Sequence, residues 1–347
     1  MHLDKKYLFK TISELKKLNK LKKSETTLKP KYIFYTPKKI KNNVIYLLLK
    51  DLAKHNKQTN FDIIFAENIF LLFLNIFKTT SRFLIFVPHQ SLLRRLRFCL
   101  IPSKKIVCWF THFDPRQNIS FQILNGLKYI LFIGVNEYNY YKCFSKSLNV
   151  ERFQLGYDEN IFFYSNEINF SDRKIDFLIS CNYWKNPSYA KRKNYDLLIK
   201  VSNLLADLNY SICINGDGWM DCQSLNDKIL VTNLSHKDTP KLFCNTKVFL
   251  MLSNIEGGHT SLIEALACGT KALCTPTGFA LDFIDLNSKV QFINQHSDIN
   301  EIVKKAESFL RNKELNAQAS FKIKKKLSEF TFSALNRKLD KLINNMN

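Results

Sequence analysis

One stretch constrains the fold more than any other: the apolar run Val248-Phe-Leu-Met-Leu-Ser253, then Glu256-Gly257-Gly258-His259-Thr260, then Ser261-Leu-Ile-Glu-Ala-Leu-Ala-Cys268-Gly269. The first run is short, apolar at nearly every position and bounded by polar residues, so it reads as a strand buried on both faces. The second is longer and closed by glycine, so it reads as a helix. Strand, glycine turn and helix in that order form part of a doubly wound α/β sheet. Gly257 and Gly258 permit positive φ and a close backbone approach. The amides of His259, Thr260 and Ser261 open the helix and point at an anion with the helix dipole behind them, so a diphosphate fits there. Glu256 and Glu264 lie eight positions apart, one at the mouth of such a site and one two helical turns deeper. An ordinary turn carrying two surface glutamates also satisfies this pattern.

The rest of the C-terminal half supplies further elements in order. Residues 176–180, 211–215 and 228–235 read as strands, the second running into Gly216-Asp217-Gly218. Residues 239–244 read as a short helix before the key strand. Helices are expected at 301–311 and 317–345, with a break at 330–333. In the N-terminal half, residues 32–35, 62–65, 83–87, 106–110 and 129–133 read as five apolar strands separated by helical stretches that include 44–54 and 91–100. Continuous apolar strands imply a second sheet covered on both faces.

The stretch from Ser253 to Leu273 resembles the signature of retaining GT-B glycosyltransferases similar to family 4. That resemblance implies an α/β GT-B fold, with two Rossmann-like doubly wound domains facing a cleft. It also implies transfer of a sugar from a nucleotide diphosphate donor to an acceptor hydroxyl with retention of configuration. Carried over, Glu256 meets the donor sugar and Glu264 the ribose, while Gly257, Gly258 and the amides of His259, Thr260 and Ser261 hold the phosphates. Lys193-Asn-Tyr-Asp-Leu-Leu-Ile199 resembles the family's helix start, whose lysine reaches the phosphates; Arg192 is an alternative, and a solvated charge run is the plainer reading of this triplet. Asn233 ends a strand that borders the nucleotide base in the family; an Asn there also simply caps turns. The family's Gly-Arg pair is replaced by Ser180-Cys-Asn-Tyr-Trp-Lys185, with Lys185 the nearest substitute cation.

Residues 150–162 resemble the segment that leaves the family's first domain. The expected organisation is therefore a basic N-terminal helix over 1–30, an acceptor domain over 31–158, a donor domain over 170–312 and C-terminal helices over 313–347 that cross back to the first domain. The loop at 36–43 has no glycine where the family has a glycine-rich one. His112 follows a strand and takes the place of a histidine that approaches the donor sugar in similar enzymes; Asp114, Arg116 and His89 are weaker candidates. Glu256, Lys193 and His112 are thus the candidate catalytic groups.

No Asp-x-Asp triplet occurs and no two of the 9 cysteines form a Cys-x-x-Cys pair, so neither a metal nor another cofactor is expected beyond the nucleotide-sugar co-substrate. The net charge of +22 is concentrated at the ends, with 16 lysines against four acids in residues 1–57. Residues 3–23 form an amphipathic basic helix in this reading, suited to anionic headgroups or to packing on the first domain. No apolar stretch spans a bilayer and no cleavable leader is expected, which points to the cytoplasm, with docking at the inner membrane face as an option. The partners expected are a nucleotide-diphosphate sugar and a glycan or lipid-linked acceptor. A nucleic acid is disfavoured because the basic residues are not interleaved with exposed aromatics. Two further classes stay open: a degenerate GT-B subunit that binds a partner or glycan, and a basic membrane- or nucleic-acid-binding protein that uses the Rossmann folds as scaffold.

Overall fold

The computed structural model describes residues 31–35, 62–66, 83–87, 101–110, 124–144, 148–163, 169–294, 296–312 and 317–346. The expected N-terminal helix, the 36–43 loop and the helical stretches 44–54 and 91–100 lie outside these residues. The chain divides into two compact units, Met1–Cys108 and Trp109–Asn347.

In the first unit, β1 (Lys31–Tyr35) pairs in parallel with β2 (Asp62–Ala66) on one side and β3 (Phe83–Val87) on the other. β3 continues in parallel to the start of β4 (Ile106–Phe110), with Ile85 opposite Ile106. All five expected strands of the N-terminal half are present, the fifth being β5 (Tyr129–Phe132) in the second unit. There β5 is followed by α1 (Val135–Phe144) and pairs in parallel with β6 (Val150–Arg152), a strand the sequence pattern did not single out. Every residue of β4 is buried, as a strand covered on both faces requires.

The second unit also holds a six-stranded parallel sheet of β7 (Ile175–Ser180), β8 (Ile212–Asn215), β9 (Leu230–Thr232), β10 (Thr246–Met251), β11 (Lys271–Cys274) and β12 (Val290–Phe292). Its order is β12-β11-β10-β7-β8-β9. The chain winds outward one way from β7 through β8 and β9, then returns to place β10 on the other side of β7. The order therefore reverses between β7 and β10, the place where open α/β sheets form a ligand crevice.

Eight helices belong to the described residues: after α1 come α2 (Pro187–Lys193), α3 (Tyr195–Asp207), α4 (Thr239–Cys244), α5 (Thr260–Ala267), α6 (Ile299–Arg311), α7 (Ala317–Leu327) and α8 (Phe332–Met346). α3 buries Leu198, Val201, Ser202, Leu205 and Ala206, the spacing of one helical face, against Phe177 and Ile214 of the sheet and Ile302, Ala306 and Phe309 of α6. The break before α8 falls at a tight turn over Ser328–Phe330, where Phe330 packs on Phe279 and Phe283. Residues 156–159 clasp the start of α8. Tyr157 exchanges backbone hydrogen bonds with Phe330 and Phe332, each 3.0 Å, and the Glu159 carboxylate accepts from the Phe332 and Ser333 amides at 3.0 and 3.2 Å.

Candidate functional site

The loop leaving β7 and the loop leaving β10 bring Lys193, Arg192 and Glu256 together at the crevice. Asn186 caps α2 by accepting from the amides of Ser188 and Tyr189, and Pro187 sits at the first helical position, where no amide is missed. Lys193 therefore closes a short helix; the sequence reading had it opening a longer one. Asn194 takes a left-handed conformation with φ 59° and turns the chain into α3. That break aims the Lys193 ammonium inward. The Asn254 amide then donates to Arg192 O at 2.9 Å and its side chain to Lys191 O at 2.9 Å, fastening the end of α2 to the β10 loop.

Lys193 Nζ forms an ion pair with Glu256 Oε1, and Arg192 Nη1 lies 3.1 Å from Glu256 Oε2. Lys193 and Glu256 are buried, at 7% and 3% exposure. Burial is the strongest single influence on Lys193 and works against its charge, but the Glu256 carboxylate, with Cys181 and Tyr189 adding to it, holds its pKa above the ordinary lysine value. The Tyr189 ring lies 4.6 Å from the Arg192 guanidinium, which adds a cation–π contact on the outer side. Two cations against one carboxylate leave this corner positive.

The glycine turn works by closeness rather than by positive φ. The left-handed glycines among the described residues include Gly269 and Gly278 but neither Gly257 nor Gly258. A Cβ on Gly258 would lie 2.5 Å from Phe279 and 2.8 Å from Ile133. Gly278, at φ 56°, is where the strained geometry falls, since a Cβ there would lie 2.4 Å from Gly257 O and 2.6 Å from Glu256 O. The loop after β11 thus braces the glycine turn: the Phe279 amide donates to Gly257 O at 3.2 Å and Thr275 Oγ1 to Ser253 O at 2.6 Å. His259 caps α5 in extended conformation, its ring edge on Phe249. The amides of Thr260 and Ser261 follow in the first turn, where no intrahelical acceptor exists.

Glu264 lies on α5, buried, and its Oε1 is 3.0 Å from His236 Nε2. Sequence reasoning missed His236, which stands 28 residues upstream in the loop after β9. Asn233 is exposed just beyond β9, and Lys185 is exposed in the loop after β7; neither joins the Lys193–Glu256 corner through a side-chain hydrogen bond or ion pair. At the end of β8, buried Asn215 accepts from Thr232 Oγ1 at 3.1 Å and Leu234 N at 2.9 Å, tying the β8 and β9 loops together. His112, with Asp114, Arg116 and His89, lies outside the described residues. Among the described residues there is no cluster of three metal-ligating side chains, and no helix is long and apolar enough to cross a membrane.

Residues 187–326, which hold the whole Lys193–Glu256–Glu264 constellation, match the family model for glycosyl transferases group 1. The fold is similar to that of Anabaena HepE in complex with UDP-glucose, with TM-score 0.64 at 14% identity over 91% of this chain and 99% of that one. It is also similar to sucrose-phosphate synthase from Thermosynechococcus elongatus, with TM-score 0.64 at 11% identity over 92% and 99% of the two chains. A glycosyltransferase from Rickettsia africae gives 0.65 at 13% identity over 92% and 99%. Against a chain of the GtfA/B complex the TM-score is 0.59 at 14% identity, and this chain spans 59% of that longer one. No curated protein sequence matches. The fold is the GT-B class, with two Rossmann-like doubly wound domains. The family match lies in its second half, as the resemblance implied, and supports glycosyl transfer as the class of activity.

Proposed function

We propose that this chain is a retaining glycosyltransferase that moves a sugar from a nucleotide-diphosphate donor to an acceptor hydroxyl, in the synthesis of a surface polysaccharide or lipid-linked glycan. The observation that carries the reading is the corner at the strand-order reversal, where Lys193 and Arg192 converge on buried Glu256 beside the start of α5. Departure of a nucleoside diphosphate builds negative charge on the bridging oxygen. Fixed cations and first-turn amides in a water-poor corner oppose that charge without reorganising. Lys193 and Arg192 neutralise the diphosphate, and Glu256, released from part of its pairing, accepts from donor-sugar hydroxyls. Glu264 meets the ribose. Both carboxylates are binding groups on one donor, and leaving-group stabilisation is assigned to the cations and amides rather than to a metal.

In this reading residues 31–158 hold the acceptor and 170–312 the donor, while 313–347 cross back, which the Glu159 clasp on α8 supports. The basic segment over 1–30 docks on anionic lipid at the cytoplasmic face. Thermal-shift titration with UDP-, GDP- and ADP-sugars tests the core of the proposal. Stabilisation by one series, lost in Glu264→Ala, is expected. A flat response to all three would favour the other two readings, the non-catalytic subunit, whose case rests on the missing Gly-Arg pair after β7 and the missing glycine-rich loop at 36–43, and the basic membrane- or nucleic-acid-binding protein.

A further inference from the structure

His236 is built into the end of the site where nothing in the sequence pointed. Its backbone is pinned by a compact turn: Ser235 O accepts from the amides of Asp238 and Thr239 at 2.9 and 3.2 Å, and His236 O accepts from Thr239 Oγ1 at 2.8 Å. Its ring packs edge-on against Phe162, 5.0 Å between centroids, and Phe162 is itself fully buried in the segment that follows β6. Phe162 thus supports one side of a half-exposed imidazole, and Nε2 lies 3.0 Å from Glu264 Oε1. A carboxylate only accepts, so Nε2 carries the proton in this contact, whether the ring is neutral or charged.

A glutamate on a helix has three rotatable side-chain bonds, and a ligand that must freeze them loses affinity in doing so. A carboxylate held in advance by one donor keeps lone pairs on both oxygens for further donors. Two adjacent hydroxyls of a ribose are a matching pair of donors. We propose that His236 is a positioning residue for nucleotide recognition, holding Glu264 in the orientation that accepts the vicinal ribose hydroxyls. The proposal rests on the reading of Glu264 as the ribose contact. It adds a residue from the loop after β9 that gives the site selectivity for ribonucleotides over their deoxy forms.

Calorimetric titration of the full chain with UDP, GDP and ADP, each beside its 2′,3′-dideoxy form, tests this. His236→Ala is expected to weaken the preferred ribonucleotide about tenfold, the worth of one hydrogen bond to a charged group, and to leave the dideoxy form unchanged. His236→Gln, which keeps a side-chain N–H donor, should recover most of the loss. Equal weakening of both forms in His236→Ala, or none in either, overturns the positioning role. Glu264→Ala separates the two levels. If it spares the preference for ribose, or if the unaltered chain binds none of the six ligands, the underlying reading falls as well; if it abolishes the preference while His236→Ala is silent, only this inference falls.

Discussion

The two ends of the second sheet treat buried cations in opposite ways. At the carboxyl ends of β7 and β10, Lys193 and Arg192 face a carboxylate, Glu256. At the amino ends, Arg173, Lys271 and Lys289 are buried with backbone carbonyls as acceptors. Lys289 Nζ donates to Gly269 O at 2.8 Å, Lys271 Nζ to Asn312 O at 2.7 Å and to Phe309 O, and Arg173 Nη1 to Thr246 O at 2.7 Å. Several of those carbonyls end α5 and α6, where the helix dipole favours a cation. Partial charges cannot match a carboxylate, and the pKa values show it. Against the strong pull of burial, Lys193 is held above the usual lysine value by Glu256 together with Cys181 and Tyr189. Burial lowers Lys271 to about 8, and lowers Lys289 to about 7 with Arg173 and Lys271 adding repulsion. One end keeps its cations charged against a carboxylate; the other uses cations to seal helix ends.

The sharpest test of the functional end is Lys193→Ala. Turnover should fall about 10²- to 10³-fold, the usual cost of one transition-state donor. Because Glu256 is buried, the fold should also weaken, by about 3 kcal/mol in denaturant unfolding. A Lys193→Met, Glu256→Gln double variant separates these effects: stability should return while turnover stays low. Full activity in the single variant would end the assignment of Lys193. Next in size is Gly278→Ala, which forces a methyl group onto the Glu256 and Gly257 carbonyls at a left-handed φ and should destabilise by about 3 kcal/mol. Unchanged stability there would mean the glycine turn is not braced as described.

The smallest expected effect probes the opposite end. An unfolded lysine titrates near 10.4, so between about pH 7 and that value the unfolded chain binds more protons than a fold holding Lys289 at about 7. Stability therefore rises with pH across this window, Lys289 contributing on the order of 2 kcal/mol between pH 7 and 9 and Lys271 about half as much. Lys289→Met should remove the larger part of that rise in melting curves taken at several pH values. Lys193 has the opposite sign: its raised pKa adds stability below the ordinary lysine value that disappears only at higher pH. A variant at Lys289 that leaves the slope intact would dissolve the contrast between the two ends.

These two ends were not equally legible in the sequence. Apolar runs with sharp polar borders gave β4, β7 and β10, and the short helix at Thr239–Cys244 was read to the residue, because burial on both faces leaves a pattern that neighbours do not disturb. Glu256 and Glu264 could be singled out because they sit in one strand–turn–helix stretch, and Lys193 because residues 193–199 resemble the family's helix start. The break at Asn194 was overlooked, although Asn186-Pro187 is a local signature for an earlier helix start. β6, β11 and β12, three or four residues each, were not singled out, although β5, β8 and β9 of the same length were. His236 and the buried Lys271 and Lys289 left no local signal. A lysine is ordinarily a surface residue, and what holds these groups comes from distant segments that only the folded chain brings near.

The clasp between residues 156–159 and α8 joins parts of the chain 173 positions apart, as measured from Glu159 to Phe332. On a ribosome adding about 5–20 residues per second, the stretch leaving β6 waits on the order of ten to thirty seconds for its partner to be made. Until then Leu335, which packs against Gly156, and Phe330, which covers Phe279 and Phe283, do not yet exist. The brace beneath the glycine turn is thus completed only once α8 has been made, well after the residues it supports.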